Sequence, residues 1–321
     1  MFAKAGVIAG AGPALASDLE AVSRARVEAV KIRLPECPAD VRPYRAAGVR
    51  TVLVQLFDPR AGHDPTSPEA FVERFAPSVE SLLNQGVTDF EIHRAPNAPR
   101  YGYGVSWADP TAFSRWFLEV AERLRRTFGP AVRVGFPGLS PPGPVVPGDE
   151  PAVPDQSFLE GCASALAAAD FVCCHVYWTS GAEMRDYDGG LRFLRAVLER
   201  TEGPVVISEF ANVAPNTPSA ERGEQYAEFY FLCTQYDRLE AAYGLVLRTD
   251  DPAQAGMAWA GTDIPERVAH RPRMPRPSAL RLAWPTETRA YTQRFGENQR
   301  RYYEASYDPA HGVHWLHGGH E

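Results

Sequence analysis

Two kinds of segment alternate along the chain. Short runs rich in apolar and β-branched residues occur at Ala5–Ala9, Val27–Leu34, Thr51–Phe57, Thr88–His93, Val132–Phe136, Asp170–Trp178, Val205–Phe210 and Ala242–Leu247. Between them, apolar residues recur at helical spacing in Ser17–Ala25, Val41–Ala47, Pro68–Asn84, Pro110–Phe128, Phe158–Ala168, Leu191–Arg200 and Arg222–Tyr236. Ser67-Pro68 and Asp109-Pro110 supply helix start signals, a capping side chain followed by proline at the first helical position. Strands and helices alternating over about 260 residues predict an α/β fold of the (β/α)8 TIM-barrel type. A doubly wound sheet would carry a glycine-rich phosphate loop after its first strand; Gly10-Ala-Gly12 lacks the third glycine, so no dinucleotide cofactor is expected. The barrel is assigned to residues 1–263 and an irregular extension to 264–321.

Composition agrees with a folded domain: of 321 residues, 45% are hydrophobic and 23% charged, which excludes a disordered or fibrous chain. The net charge of −7 gives no general attraction to nucleic acid or anionic membrane, and no run approaches the roughly 18 apolar residues of a membrane span. The charge is uneven. Between Glu266 and Arg301 nine arginines face three glutamates, and His270-Arg-Pro-Arg-Met-Pro-Arg-Pro277 reads as an extended basic strap. Only Lys4 and Lys31 are lysines. Ala14-Leu-Ala16 has an A-x-A-like cleavage pattern, but the preceding run is broken by glycines and reads as the first barrel strand, which favours a cytoplasmic over a secreted protein. The cysteines (37, 162, 173, 174, 233) have no CxxC spacing, so neither a disulfide framework nor a zinc site is indicated.

In a barrel the chemistry sits where the strands end. Those ends offer Arg33, Gln55, His93, Arg94, Asn97, His175, Tyr177, Trp178 and Glu209, with Trp259 beyond the last strand. Aromatic, amide and isolated acidic groups suit a polyol or other small polar ligand, which offers ring faces to stack and hydroxyls to bond. Histidines and carboxylates in cooperating metal-ligand spacing are not evident, and no metal is expected.

Taken in order, these ends resemble the clan A glycoside hydrolases, retaining (β/α)8 enzymes with an acid/base glutamate after strand four and a nucleophilic glutamate after strand seven. Val206-Ile-Ser-Glu209-Phe resembles the nucleophile segment, and Cys174-His175-Val-Tyr177-Trp the strand-six segment that lines the site. Glu91-Ile-His93-Arg94-Ala95-Pro96-Asn97 resembles the acid/base segment, usually Asn-Glu-Pro-Asn, with Arg94 in place of the asparagine and Ala95 in place of the glutamate. The resemblance implies Glu209 as catalytic nucleophile and a carbohydrate ligand. A retaining pair needs a second carboxyl about 5–5.5 Å away, which alanine cannot supply. Glu91 lies too deep on its strand to reach a glycosidic oxygen and is expected to bond inside the barrel.

Three readings therefore stand open: a glycosidase-like hydrolase with an unidentified acid, a non-catalytic carbohydrate-binding pseudoenzyme, and a barrel enzyme in which Glu209 acts as general base on a small anion held by Arg94. The tail segment Thr286–Asn298, with Tyr302-Tyr303 and Pro309-Ala-His-Gly312, resembles the opening of lysostaphin-type zinc endopeptidases, which points to a cell-wall or phage-associated context. His314 stands at that family's aspartate ligand position, so no peptidase activity is implied.

Overall fold

The computed structural model describes residues 3–146, 149–186 and 189–271. Eight strands, β1 (Lys4–Ile8), β2 (Ala29–Leu34), β3 (Thr51–Leu56), β4 (Asp89–Ile92), β5 (Arg133–Phe136), β6 (Phe171–Trp178), β7 (Val205–Asn212) and β8 (Leu239–Gly244), pair in chain order, all parallel, and β8 closes onto β1. The fold is a (β/α)8 barrel. Around it run α1 (Ala16–Ala25), α2 (Arg42–Ala46), α3 (Pro68–Leu83), α4 (Pro110–Phe128), α5 (Asp155–Gly161), α6 (Ala163–Ala168), α7 (Gly181–Arg185), α8 (Arg192–Arg200), α9 (Ser219–Cys233) and α10 (Ile264–Ala269). Both start signals act as the sequence predicts: Ser67 Oγ accepts from Ala70 N at 3.1 Å and Asp109 Oδ1 from Ala112 N at 2.7 Å, each ahead of its proline.

Strand alternation divides the core into two shells. One face of each strand packs outward on the helices, as Val30, Val54, Phe90, Val134 and Ile207 do, all with no exposure. The other face fills the barrel with Ile8, Ala29, Leu53, Phe171, Cys173, Val206, Ala241 and Tyr243. Glycine at position 6 makes room for the Tyr243 ring, since a Cβ there would come within 2.6 Å of Tyr243 Cδ1. All five cysteines are buried and unbridged. No helix among the described residues is long and apolar enough to cross a membrane.

The elements differ from the sequence reading in several places, among them the short helix α7, which it does not predict. The last strand is Leu239–Gly244 rather than Ala242–Leu247; it ends at Gly244 because Leu245, Val246 and Leu247 leave the regular ladder to bond Phe210, Met257 and Ile8. The helix predicted over Phe158–Ala168 is two, broken at Cys162. At the C-terminal side, α10 is a buried part of the barrel wall rather than part of an irregular extension: Ile264 and Val268 have no exposure, and the Arg271 guanidinium donates to the carbonyls of Ala25 and Arg26 at 2.8 and 2.6 Å, satisfying the end of α1. Helix α10, just past residue 263, thus packs against the barrel. The strap beyond His270-Arg271 and the tail histidines and motif at 286–312 lie outside the described residues.

Candidate active site

The floor of the site is an ion pair inside the barrel. Lys31 Nζ on β2 lies 2.7 Å from Glu91 Oε2 on β4 and donates to Ser208 O at 3.1 Å. Glu91 Oε1 accepts from Gly138 N at 3.0 Å and from Ser208 Oγ at 2.8 Å. All three side chains are fully buried. Burial alone would raise the Glu91 pKa, but the charge and hydrogen bond of Lys31, with the Gly138 N–H and the other neighbours, together outweigh it and hold the carboxylate below its ordinary value. Glu91 is thus occupied in binding the strands together, as its depth on β4 suggests.

One layer higher, Arg33, Gln55, His175 and Glu209 face inward from β2, β3, β6 and β7, with Gln55 in register with Arg33 and Glu209 with His175. The ladder between β7 and β8 is irregular between Ile207 and Phe210, which lets consecutive Ser208 and Glu209 both reach inward groups, one in each layer. His175 lies against the backbone of Gly138, where any Cβ would overlap the imidazole. Burial depresses its pKa to about 4, so the ring is neutral at neutral pH.

Glu209 has no solvent exposure. Its Oε1 accepts from Tyr177 Oη at 2.5 Å and from Arg94 Nη2 at 3.4 Å, while its Oε2 meets no hydrogen-bond partner among the described residues. Burial pushes toward the neutral acid; Arg94 and the other positive groups, Lys31 and Arg33 among them, together outweigh it and hold the carboxyl well below the usual range. The same Arg94 Nη2 donates to Asp149 Oδ2 at 2.7 Å. Asp149 belongs to the loop after β5 and is 2% exposed; its Oδ1 accepts from Tyr101 Oη, and the Arg94 guanidinium stacks 5.1 Å from the Tyr101 ring centre. Burial raises the Asp149 pKa, and the charge of Glu209 adds to this, against the pull of Arg94.

Besides Glu209 Oε2, four other side chains at this end of the barrel hold buried polar atoms without a partner among the described residues: Arg33 Nε, both amide atoms of Gln55, His175 Nε2 and Arg94 Nε. Beside them a pocket of about 250 Å³ opens between His175 and Tyr177 on one side and Pro141, Pro144, Glu183 and Phe193 on the other.

Four residues expected at the pocket lie elsewhere. His93 leaves β4 with φ 76°, which turns its ring outward among Phe57, Phe71, Trp107 and Trp116, with ring centres 5.1–6.2 Å away. Trp178 follows the inward Tyr177 and so faces α9, where it stacks on Phe210 and donates to Gln225 Oε1 at 2.8 Å. Trp259 is fully buried against Tyr226 and Gly244. Asn97 uses its whole amide on the β5 loop: Nδ2 donates to Ser140 O and Val153 O at 2.7 and 3.2 Å, and Oδ1 accepts from Ser140 N at 2.9 Å. It positions the loop that carries Asp149. Ala95, at φ 37°, packs its methyl group with Phe57, Ala98 and Tyr101.

Sequence reasoning missed Lys31, Asp149 and Tyr101. Lys31 had a signal, a lone lysine inside the apolar run Ala29–Leu34. Asp149 and Tyr101 had none, for they stand in irregular loops and meet only through the fold. Among the described residues no cluster of histidine, cysteine and carboxylates is arranged to hold a metal.

No protein-family model matches the chain, and no curated protein matches it. Solved structures do. A family 5, subfamily 18 glycoside hydrolase from Bifidobacterium longum subsp. infantis superposes with a TM-score of 0.58 at 11% identity, covering 84% of this chain and 79% of that one. A family 128 endo-β-1,3-glucanase from Sorangium cellulosum gives 0.57 at 15% identity, over 85% of this chain and the whole of that one. A glucosidase from Croceicoccus marinus gives 0.53 at 15% identity over 78% of this chain, which spans 62% of the length of that enzyme. With identities this low the likeness is one of fold alone, the (β/α)8 barrel.

Proposed function

We propose that the protein acts on carbohydrate as a retaining glycosidase, with Glu209 as nucleophile. The observation that carries this reading is the ring of buried, unpartnered polar atoms around Glu209: Arg33 Nε, the Gln55 amide, His175 Nε2 and Glu209 Oε2. A buried donor or acceptor without a partner costs about 1–3 kcal/mol, so several at one end of a barrel fit a ligand that brings its own hydroxyls. Tyr177 and Arg94 both hold Oε1 of Glu209 and leave Oε2 to attack an anomeric carbon. The depressed pKa keeps Glu209 ionised, as a nucleophile requires.

Binding without catalysis is the second reading. It is favoured by the full burial of Glu209 and by Ala95, whose methyl group sits in an apolar nest rather than at the scissile bond. General-base chemistry on a small anion is less well supported, since Arg94 is already shared between two carboxylates and a carboxylate of depressed pKa is a weak base. The first two readings separate on a panel of 2,4-dinitrophenyl glycosides. Hydrolysis predicts release of the phenol together with a mass increase of one glycosyl unit on the peptide containing Glu209. If no sugar in the panel releases phenol or labels the protein, while an oligosaccharide such as a β-1,3-glucan binds in calorimetry, the binding reading stands instead.

A further inference from the structure

Ala95 leaves a retaining mechanism without its proton donor at the usual strand, yet a second carboxyl reaches the site from another direction. Glu209 Oε1 and Asp149 Oδ2 contact one and the same nitrogen, Arg94 Nη2, at 3.4 and 2.7 Å. Glu209 Oε1 and Asp149 Oδ2 therefore lie no farther apart than those two distances together, about 6 Å, which admits the 5–5.5 Å of a retaining pair. We propose that Asp149, delivered by the loop after β5, is the acid/base carboxyl of this site, replacing the absent glutamate at position 95. The inference rests on the glycosidase reading above.

The surroundings of Asp149 suit the role. It is 2% exposed, its Oδ1 is fixed by Tyr101, and Asn97 ties Ser140 and Val153, on either side of it in the loop, to the β4 segment. The two carboxyls differ in the way a catalytic pair must: burial raises Asp149, whereas Glu209 is depressed beside Arg94, so Asp149 is the one of the two that takes up a proton more readily. In the first half-reaction the Asp149 proton passes to the glycosidic oxygen, the bond from that oxygen to the anomeric carbon breaks, and Glu209 Oε2 bonds to the carbon as the alcohol leaves. In the second, the Asp149 carboxylate takes a proton from water, the water oxygen bonds to the anomeric carbon, and the ester bond to Glu209 breaks. Both groups are then as they began.

The test is Asp149→Asn, which keeps size and shape, assayed beside Glu209→Gln and the unaltered protein on a dinitrophenyl glycoside and on an unactivated oligosaccharide of the same sugar. Removal of a general acid costs about 10²–10⁴-fold. That loss is expected on the oligosaccharide, whereas phenol release in the first turnover persists because dinitrophenolate needs no protonation. Turnover then stalls at the glycosyl-enzyme, sodium azide restores it with a glycosyl azide as product, and the alkaline limb of the pH profile disappears. A merely structural role for Asp149 would produce neither azide rescue nor the altered profile. If Asp149→Asn hydrolyses both substrates at the unaltered rate while Glu209→Gln is inactive, or if it loses both equally without azide rescue, the assignment of Asp149 is overturned and the glycosidase reading stands. If the unaltered protein neither releases phenol nor forms a glycosyl-enzyme with any sugar, both are overturned.

Discussion

Tyr177 and Lys31 illustrate how single side chains set the site. The Tyr177 hydroxyl is a donor to the ionised Glu209, and a hydrogen bond to a charged group contributes about 1.5–3 kcal/mol. Tyr177→Phe should therefore lower kcat for an activated glycoside by roughly 10- to 100-fold and lower the melting temperature by several degrees, read by steady-state kinetics beside thermal unfolding. Lys31 is different in kind, since its partner Glu91 lies in the barrel interior with no access to water. Lys31→Met would leave a buried carboxylate alone, and loss of about 3–5 kcal/mol is expected in urea denaturation. The strand ends already point to Glu209, His175, Tyr177, Arg94, Gln55 and Arg33 as neighbours in the barrel. The same reasoning places His93 and Trp178 with them, and fails for local reasons: Trp178 is one residue out of phase with Tyr177, and the positive φ of His93 reverses the direction its place on the strand implies.

At the scale of elements, the segment after β4 follows a path of its own. Ala95 at φ 37° turns its methyl toward Phe57, Ala98 and Tyr101, while Arg94 turns toward Glu209. The double replacement Arg94→Asn with Ala95→Glu, which would restore the familiar motif on paper, is thus expected to bury a carboxyl among apolar groups and remove the counter-charge of Asp149. It should yield no gain in hydrolysis and a loss of several kcal/mol in stability, measured by activity on the dinitrophenyl panel and by chemical denaturation. Element positions follow from the pattern of apolar residues because each strand and helix buries one continuous face. The split at Cys162 and the end of β8 at Gly244 escape it, for Leu245–Leu247 are as apolar as a strand yet bond to three separate partners. The β5 loop escapes it entirely, since a proline-rich stretch carries no periodicity to read.

For the molecule as a whole, two histidines couple stability to pH. Burial holds both His93 and His175 near 4, below the ordinary 6.5, so between those values the unfolded chain binds protons that the folded one does not. Their contribution is complete above about pH 6.5 and is lost as pH falls toward 4, up to about 3 kcal/mol for each. Urea midpoints measured across that interval should fall with pH, and His93→Phe should flatten the slope. The wall of the barrel closes with α10 and the Arg271 clasp on α1, so a chain ending at 271 is expected to melt well above one ending at 263. Arg271, the second arginine of the basic stretch, is itself bonded to the end of α1. Within a protein of net charge −7, the guanidinium shared by Asp149 and Glu209 has an electrical consequence. With one proton on Asp149 the trio sums to zero; with Glu209 esterified and Asp149 ionised it sums to zero again. Arg94 keeps the proposed cycle electroneutral from resting state to intermediate, so this buried centre need never import or export a counter-ion to turn over.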